Sequence, residues 1–263
     1  MKPLHSYESL YGLVGCPLEH SFSMDYFNHK FTGEGIDARY VNFEIDDVNH
    51  LLEIVGQYPN LRGLNVTTPY KEQVIPFLTA MHASAQAVGA VNVIKILRDH
   101  DGEVIGLEGH NTDARAFGMT IEPMLTPQRR SALVMGTGGA AKAVATALAA
   151  LNVEVSFVSR RKNASTIAYE EITRAMVASH GIIVNATPVG MYPHVEQCPD
   201  FPCRLLTPHH LCYDLIYNPG ETTFLKQARQ AGAETKNGLE MLLLQAFLSY
   251  EVWTGNGGTT AAQ

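Results

Sequence analysis

No stretch of the chain approaches the roughly 18 consecutive apolar residues that a membrane-spanning helix needs. The opening MKPLHSYESL also lacks the apolar core of a secretion signal, so a cytoplasmic location is the expectation. Basic charge is scarce: the formal net charge is -7, and no Lys/Arg cluster exceeds Arg160-Arg161-Lys162. A general nucleic-acid binder neutralises phosphates with a basic face, and that class is excluded. Cysteine is scarcer still. Cys16, Cys198, Cys203 and Cys212 are too scattered for an exported disulfide framework, and one C-x4-C pair without a matching pair is poor zinc spacing. The cysteines are therefore read as reduced, and no metal is implied. Internal repeats and low-complexity segments are absent.

What is present is ample apolar material, 46% of 263 residues, enough to fill one large core or two modest ones. Short β-rich runs, YGLVG (11–15), VNFEI (41–45) and LRGLNVT (61–67), alternate with helical patterns, which predicts an α/β fold with a largely parallel sheet. VNVIKIL (91–97) and EVIGLEG (103–109) surround an Asp-Gly suited to a tight turn and predict a hairpin. The strand series then restarts with SALVMG (131–136), VEVSFVS (153–159), GIIVNAT (181–187) and LCYDLIY (211–217), so a second sheet is expected. One helical segment, NTDARAFGMTIEPML, separates the two series. Another, GLEMLLLQAFLSYEVW, follows them, and the tail TGNGGTTAAQ is expected to be disordered.

In the second series a strand runs through G-x-G-x-x-A (Gly136, Gly138, Ala141) into an alanine-rich helix. Gly136 permits a tight turn, Gly138 lets backbone approach a pyrophosphate at the helix N-terminus, and Ala141 allows close packing. An NAD site usually places an acid at the end of the next strand; here Ser159 leads into Arg160 and Arg161. Guanidinium groups grip a 2′-phosphate, so NADP(H) is favoured over NAD(H), the bland alternative being a solvated basic loop.

The first series carries polar groups that a ligand would satisfy. Ser21 and Ser23 flank a helix start, where they can cap the helix or bind a carboxylate. Asn65 and Thr67 lie two apart at the end of a predicted strand, and Asn92 opens another. Thr68 as N-cap and Pro69 as first residue predict a helix that puts Lys71 at its third position, a poor place for a cation unless it has work to do. Asp113 falls in the first turn of a helix, which by itself satisfies a carboxylate. Gln245 shares a helix face with Met241, Leu242 and Leu248, so its amide needs a partner, either backbone or a polar ligand.

Together these residues resemble the shikimate dehydrogenases over nearly the whole chain. The resemblance is carried by HSFS (20–23), NVTTPYK (65–71), GAVN (89–92), NTD (111–113), GTGGAAKAV (136–144), SRR (159–161), NATPVGM (185–191), DLIYNPGETTFL (214–225) and NGLEMLLLQA (237–246). It implies a catalytic domain of residues 1–112 completed by 238–263, an NADP-binding Rossmann domain of residues 113–237, and reversible reduction of 3-dehydroshikimate to shikimate. By that resemblance Ser21 and Ser23, helped by Tyr217, bind the substrate carboxylate. Asn65, Thr67, Asn92, Asp113 and Gln245 surround the ring hydroxyls, and Lys71 with Asp113 forms the general acid/base pair. Gly136, Thr137, Gly138, Gly139 and Ala140 hold the pyrophosphate, Ser159, Arg160 and Arg161 the adenosine phosphate, and Leu215 and Gly238 lie near the nicotinamide.

The chain departs from the family pattern in three places: Met24 stands for a proline after HSxS, Ala116 for the glycine of NTDxxG, and Ser159 for an asparagine before the arginine. Quinate/shikimate dehydrogenases with broader substrate or NAD use share most motifs, although several replace the second serine. Methylenetetrahydrofolate dehydrogenases also pair a Rossmann domain with a catalytic lysine, but HSFS and GLEMLLLQA do not suit a pterin. A non-catalytic NADP-binding regulator would be expected to have lost Lys71 or Asp113. The expected partner is a small-molecule substrate, and the oligomeric state, a homodimer included, is left open.

Overall fold

Six of the seven residues of β1 (Ser9–Gly15) are buried, the pattern of a strand covered on both faces. The computed structural model describes residues 2–18, 22–161 and 163–255. Following β1 come α1 (Phe22–Glu34), β2 (Ala38–Glu44), α2 (His50–Gln57), β3 (Leu61–Val66), β4 (Ala80–Met81), α3 (Ala83–Val88), β5 (Val93–Arg98) and β6 (Val104–His110). They form one sheet in the order β2-β1-β3-β5-β6-β4, in which β5 alone runs against its neighbours. The period of two along β1 divides its side chains between two cores. Leu10 and Val14 pack with Leu51, Ile54 and Val55 of α2. Tyr11 and Leu13 pack with Phe27 and Phe31 of α1. The expected hairpin is β5–β6, whose turn places Gly102 at φ 86°, in the left-handed region that suits glycine.

The expected helix at Pro69 does not form. Residues 68–74 are a succession of turns before a short 3-10 helix, Ile75–Phe77. The N–H of Val74 reaches the Tyr70 carbonyl at 3.0 Å but that of Ile75 goes to Glu72 at 3.3 Å, while the carbonyl of Lys71 takes the N–H of Val91 at 2.7 Å. Lys71 thus sits on a turn pinned to the segment just before β5, and the helix-dipole argument for its position falls away.

The second series begins with α4 (Asp113–Ile121) and continues through β7 (Ser131–Met135), α5 (Gly139–Ala150), β8 (Glu154–Ser159), β9 (Thr166–Ala168), α6 (Arg174–Ser179), β10 (Ile182–Asn185), β11 (Leu211–Asp214), α7 (Thr223–Gln230), β12 (Glu234–Lys236) and α8 (Leu239–Thr254). Its sheet is parallel throughout, ordered β12-β11-β10-β7-β8-β9. This is the doubly wound arrangement, with its switch point between β7 and β10, where the ends of the strands bind ligands. The strands β4, β9 and β12 have three residues or fewer and show no alternation that a sequence reading could use.

The chain divides into two compact units, residues 1–112 with 246–263 and residues 113–245. In the first, Trp253 of α8 stacks on Tyr11 with ring centroids 4.8 Å apart, and its indole N–H donates to the carbonyl of Ile94 at 3.2 Å. Gly63 makes room for it, since a β-carbon there would lie 2.1 Å from the indole ring. Among the described residues no helix is long and apolar enough to cross a membrane.

Candidate active site

In the first unit the polar side chains join into one buried network. Asn65 on β3 accepts the O–H of Tyr40 on its Oδ1 at 2.8 Å. Its Nδ2 donates to Ser249 Oγ at 3.0 Å and to the carbonyl of Asn92 at 3.3 Å. Asn92 grips Thr112 with both ends of its amide, accepting the Thr112 N–H at 2.8 Å and donating to Oγ1 at 2.9 Å. Thr112 Oγ1 and Ser249 Oγ lie 3.4 Å apart. Tyr40 and Ser249 are fully buried, and burial pushes the Tyr40 phenol well above its ordinary pKa, an effect that the Ser23 hydroxyl partly offsets.

Ser23 lies in the first turn of α1, whereas Ser21 falls outside the described residues. Thr67 leaves β3 with its N–H on the carbonyl of Val14 at 2.9 Å, and both it and Lys71 are half-buried. Asp113 is buried and opens α4. Gln245 is half-buried, and its Nε2 donates to the carbonyl of Leu242 at 3.0 Å, so the backbone supplies at least one partner for its amide. Sequence reasoning missed Tyr40, Thr112 and Ser249: each looks unexceptional in its own element, and only the pairing across distant segments reveals it.

In the second unit, Gly136 follows β7 at φ 113°, where a β-carbon would meet the carbonyl oxygen of Ala186 at 3.0 Å. Its N–H donates to the carbonyl of Val158 at 2.9 Å, which ties the glycine loop to the end of β8. Thr137 and Gly138 are exposed, and a β-carbon on Gly138 would meet nothing within 4 Å. Gly138 caps α5 without any side-chain cap, so the first amides of that helix, at Gly139 and Ala140, have no capping side chain over them. That open, electropositive end suits a phosphate. Ala141 is fully buried against the sheet, as close packing requires. Ser159 ends β8 and its Oγ accepts the N–H of Arg161 at 3.2 Å, while Arg160 and Arg161 are exposed; Lys162 lies outside the described residues. An open backbone cradle with two arginines at the neighbouring strand end fits a dinucleotide carrying a 2′-phosphate.

A second group lies at the ends of β10 and β11. The fully buried Asp214 carboxylate accepts from Asn185 Nδ2 at 3.1 Å, from the Ile216 N–H at 3.0 Å and from Thr222 Oγ1 at 2.7 Å. Burial lifts it to about 6 in spite of those donors. Asn185 Oδ1 holds the Thr187 hydroxyl at 2.6 Å, and Thr222 caps α7. Asp214 thereby fixes the chain on which Leu215 and the half-buried Tyr217 sit. The available signal was a carboxylate within the apolar run LCYDLIY, a residue that must find donors. Among the described residues, no group of His, Cys, Asp and Glu could hold a metal ion.

Residues 13–94 match the family model of the shikimate dehydrogenase substrate binding domain. The chain is 37% identical to a shikimate dehydrogenase (NADP(+)) of Desulforamulus reducens, with 93% of this chain and 89% of the relative aligned. Among solved structures, shikimate 5-dehydrogenase of Thermus thermophilus in complex with NADP(H) and shikimate is 30% identical, with 94% of each chain covered and a TM-score of 0.80. A quinate dehydrogenase of Corynebacterium glutamicum in complex with NAD matches equally, at 30% identity, 94% of each chain and a TM-score of 0.80.

Proposed function

The chain belongs to the shikimate dehydrogenase family, and on that premise we propose how its residues divide the work. It is an NADP-dependent oxidoreductase that interconverts 3-dehydroshikimate and shikimate, a step of aromatic amino acid biosynthesis. Substrate binding is assigned to residues 1–112 with 238–263, and cofactor binding to residues 113–237. Bound NADPH supplies a hydride to the ketone carbon.

Lys71 gives a proton to the carbonyl oxygen as negative charge develops there, and takes it back from the hydroxyl in the reverse direction. Asp113 holds the ammonium in position. The observation that supports this pairing is the clasp at Asn92. The Lys71 carbonyl holds the N–H of Val91, the next residue grips Thr112 at both ends of its amide, and Asp113 follows directly in the chain. Ser21 and Ser23, with Tyr217, bind the substrate carboxylate. Asn65, Thr67, Asn92, Asp113 and Gln245 bind the ring hydroxyls. Gly136 to Ala140 hold the pyrophosphate, Ser159 to Arg161 the adenosine phosphate, and the backbone of Leu215 and Gly238 lies beside the nicotinamide.

A spectrophotometric assay of shikimate and of quinate oxidation, each with NADP and with NAD, tests the reading. Shikimate with NADP is expected to give the highest kcat/KM. Turnover that prefers quinate with NAD would overturn both the substrate and the cofactor assignments.

A further inference from the structure

A carboxamide has two N–H donors and an oxygen with two lone pairs. In Asn65 both donors are spent within the protein, on Ser249 Oγ at 3.0 Å and on the Asn92 carbonyl at 3.3 Å. One lone pair of Oδ1 receives the Tyr40 O–H at 2.8 Å. The orientation of the amide is decided by chemistry, because the Asn92 carbonyl can only accept and would repel Oδ1 if the group were turned over. Among the described residues, the contacts of Asn65 leave it a single lone pair, on a residue 5% exposed.

We propose that Asn65 is an acceptor-only specificity determinant, held so by Tyr40, Ser249 and the Asn92 carbonyl, and that it admits a ring substituent only if that substituent donates a proton. The inference rests on the reading above that Asn65 touches the substrate ring. The reacting position alternates between hydroxyl and ketone, and a ketone has no proton to give. The group read by Asn65 is therefore a hydroxyl that does not react, and the contact is the same in both directions of turnover. A substituent that can only accept leaves the buried lone pair unmatched, which is disfavoured as strongly as having no polar substituent at all. Tyr40 and Ser249 act through Asn65 and are positioning residues.

The test uses shikimate analogues in which each non-reacting ring hydroxyl is replaced in turn by hydrogen or by fluorine, since fluorine keeps a polar bond but cannot donate. At one ring position the fluoro analogue should lose kcat/KM alongside the deoxy analogue, roughly five- to a hundredfold below shikimate. The same analogues are run with Asn65→Ala, in which the inductive effect of fluorine persists but the acceptor is gone. The fluoro-to-hydroxyl ratio at that position should then move toward one. Tyr40→Phe should raise KM for shikimate severalfold with KM for NADP unmoved, and an unmoved shikimate KM would strip Tyr40 of the role.

If Asn65→Ala handles shikimate as the wild type does, the underlying placement of Asn65 against the substrate is wrong. If Asn65→Ala is impaired but wild type accepts a fluoro analogue at every position as well as the hydroxyl, that placement stands and the acceptor-only inference fails. The inference fails equally if the fluoro penalty survives unchanged in Asn65→Ala.

Discussion

Gly238 and Leu215 approach so closely that a β-carbon on Gly238 would lie 1.9 Å from the Leu215 carbonyl oxygen. The obstacle is main chain, held by the Gly238 N–H on the Ile216 carbonyl at 3.0 Å and by the Asp214 clasp just before it. It cannot rotate away as a side chain could. Gly238→Ala should therefore lower stability by about 1 to 3 kcal/mol. It should also raise KM for NADP, because the displaced backbone is the part assigned to the nicotinamide. Thermal melts and steady-state kinetics read the two effects, and a variant as stable and as active as the wild type would refute the close approach.

Replacing Arg160 and Arg161 together with alanine should raise KM for NADP far more than for NAD. A total loss of about 1.5 to 3 kcal/mol in charge-assisted hydrogen bonding converts to a differential on the order of tenfold to a hundredfold. Equal losses with both cofactors would mean that the exposed pair does not read the 2′-phosphate.

Lys71→Ala should reduce kcat by about 10² to 10⁴, the usual worth of a general acid/base. KM for shikimate should change little, because the interaction is strongest in the transition state. Asp113→Asn should also be slow. Since the two groups act as a unit, the double variant should be far less impaired than the product of the single defects. A folded Lys71→Ala enzyme that binds NADPH and turns over near the wild-type rate would remove the lysine from the mechanism.

The Asp214 carboxyl titrates near 6 in the folded chain, against about 4 when unfolded. Below about pH 4 both states are protonated and stability is full. Between roughly 4 and 6 the folded state keeps a proton that the unfolded state has released, so stability falls as pH rises, and the loss is complete above 6. The loss is of order 1 to 3 kcal/mol. Asp214→Asn has no such titration, so its stability relative to wild type should improve by that amount between pH 4 and 7.5. Urea unfolding of both proteins at the two pH values measures it, and a pH-independent difference would count against the raised carboxyl.

The α/β class, the two strand series and the glycine loop were legible because their signals are local: alternation, an Asp-Gly turn, and small residues between a strand and a helix. The turn at Lys71 was not, since its carbonyl is held by Val91, twenty residues on in sequence. The partner of Asn65 on α8, Ser249, is separated from it by 184 residues, and no short-range pattern reports such a contact. Tyr40 was hidden differently: its ring obeys the apolar pattern of β2, while its hydroxyl does the polar work. Asp214 was visible as an anomaly in an apolar run, but the groups that satisfy it were not.

The seat of Trp253 over Gly63 also has a consequence for synthesis. Domains generally fold as units as they leave the ribosome. The residues of the second unit are contiguous, 113–245, and can all emerge before Trp253 does. Until then the aromatic group of Tyr11, Phe27 and Tyr40 lacks its last ring, the indole's place above Gly63 stays open, and Asn65 has no Ser249 to bond. On the nascent chain the unit that starts first is thus the one that finishes last, and its sheet must wait, partly uncovered, while the other completes itself.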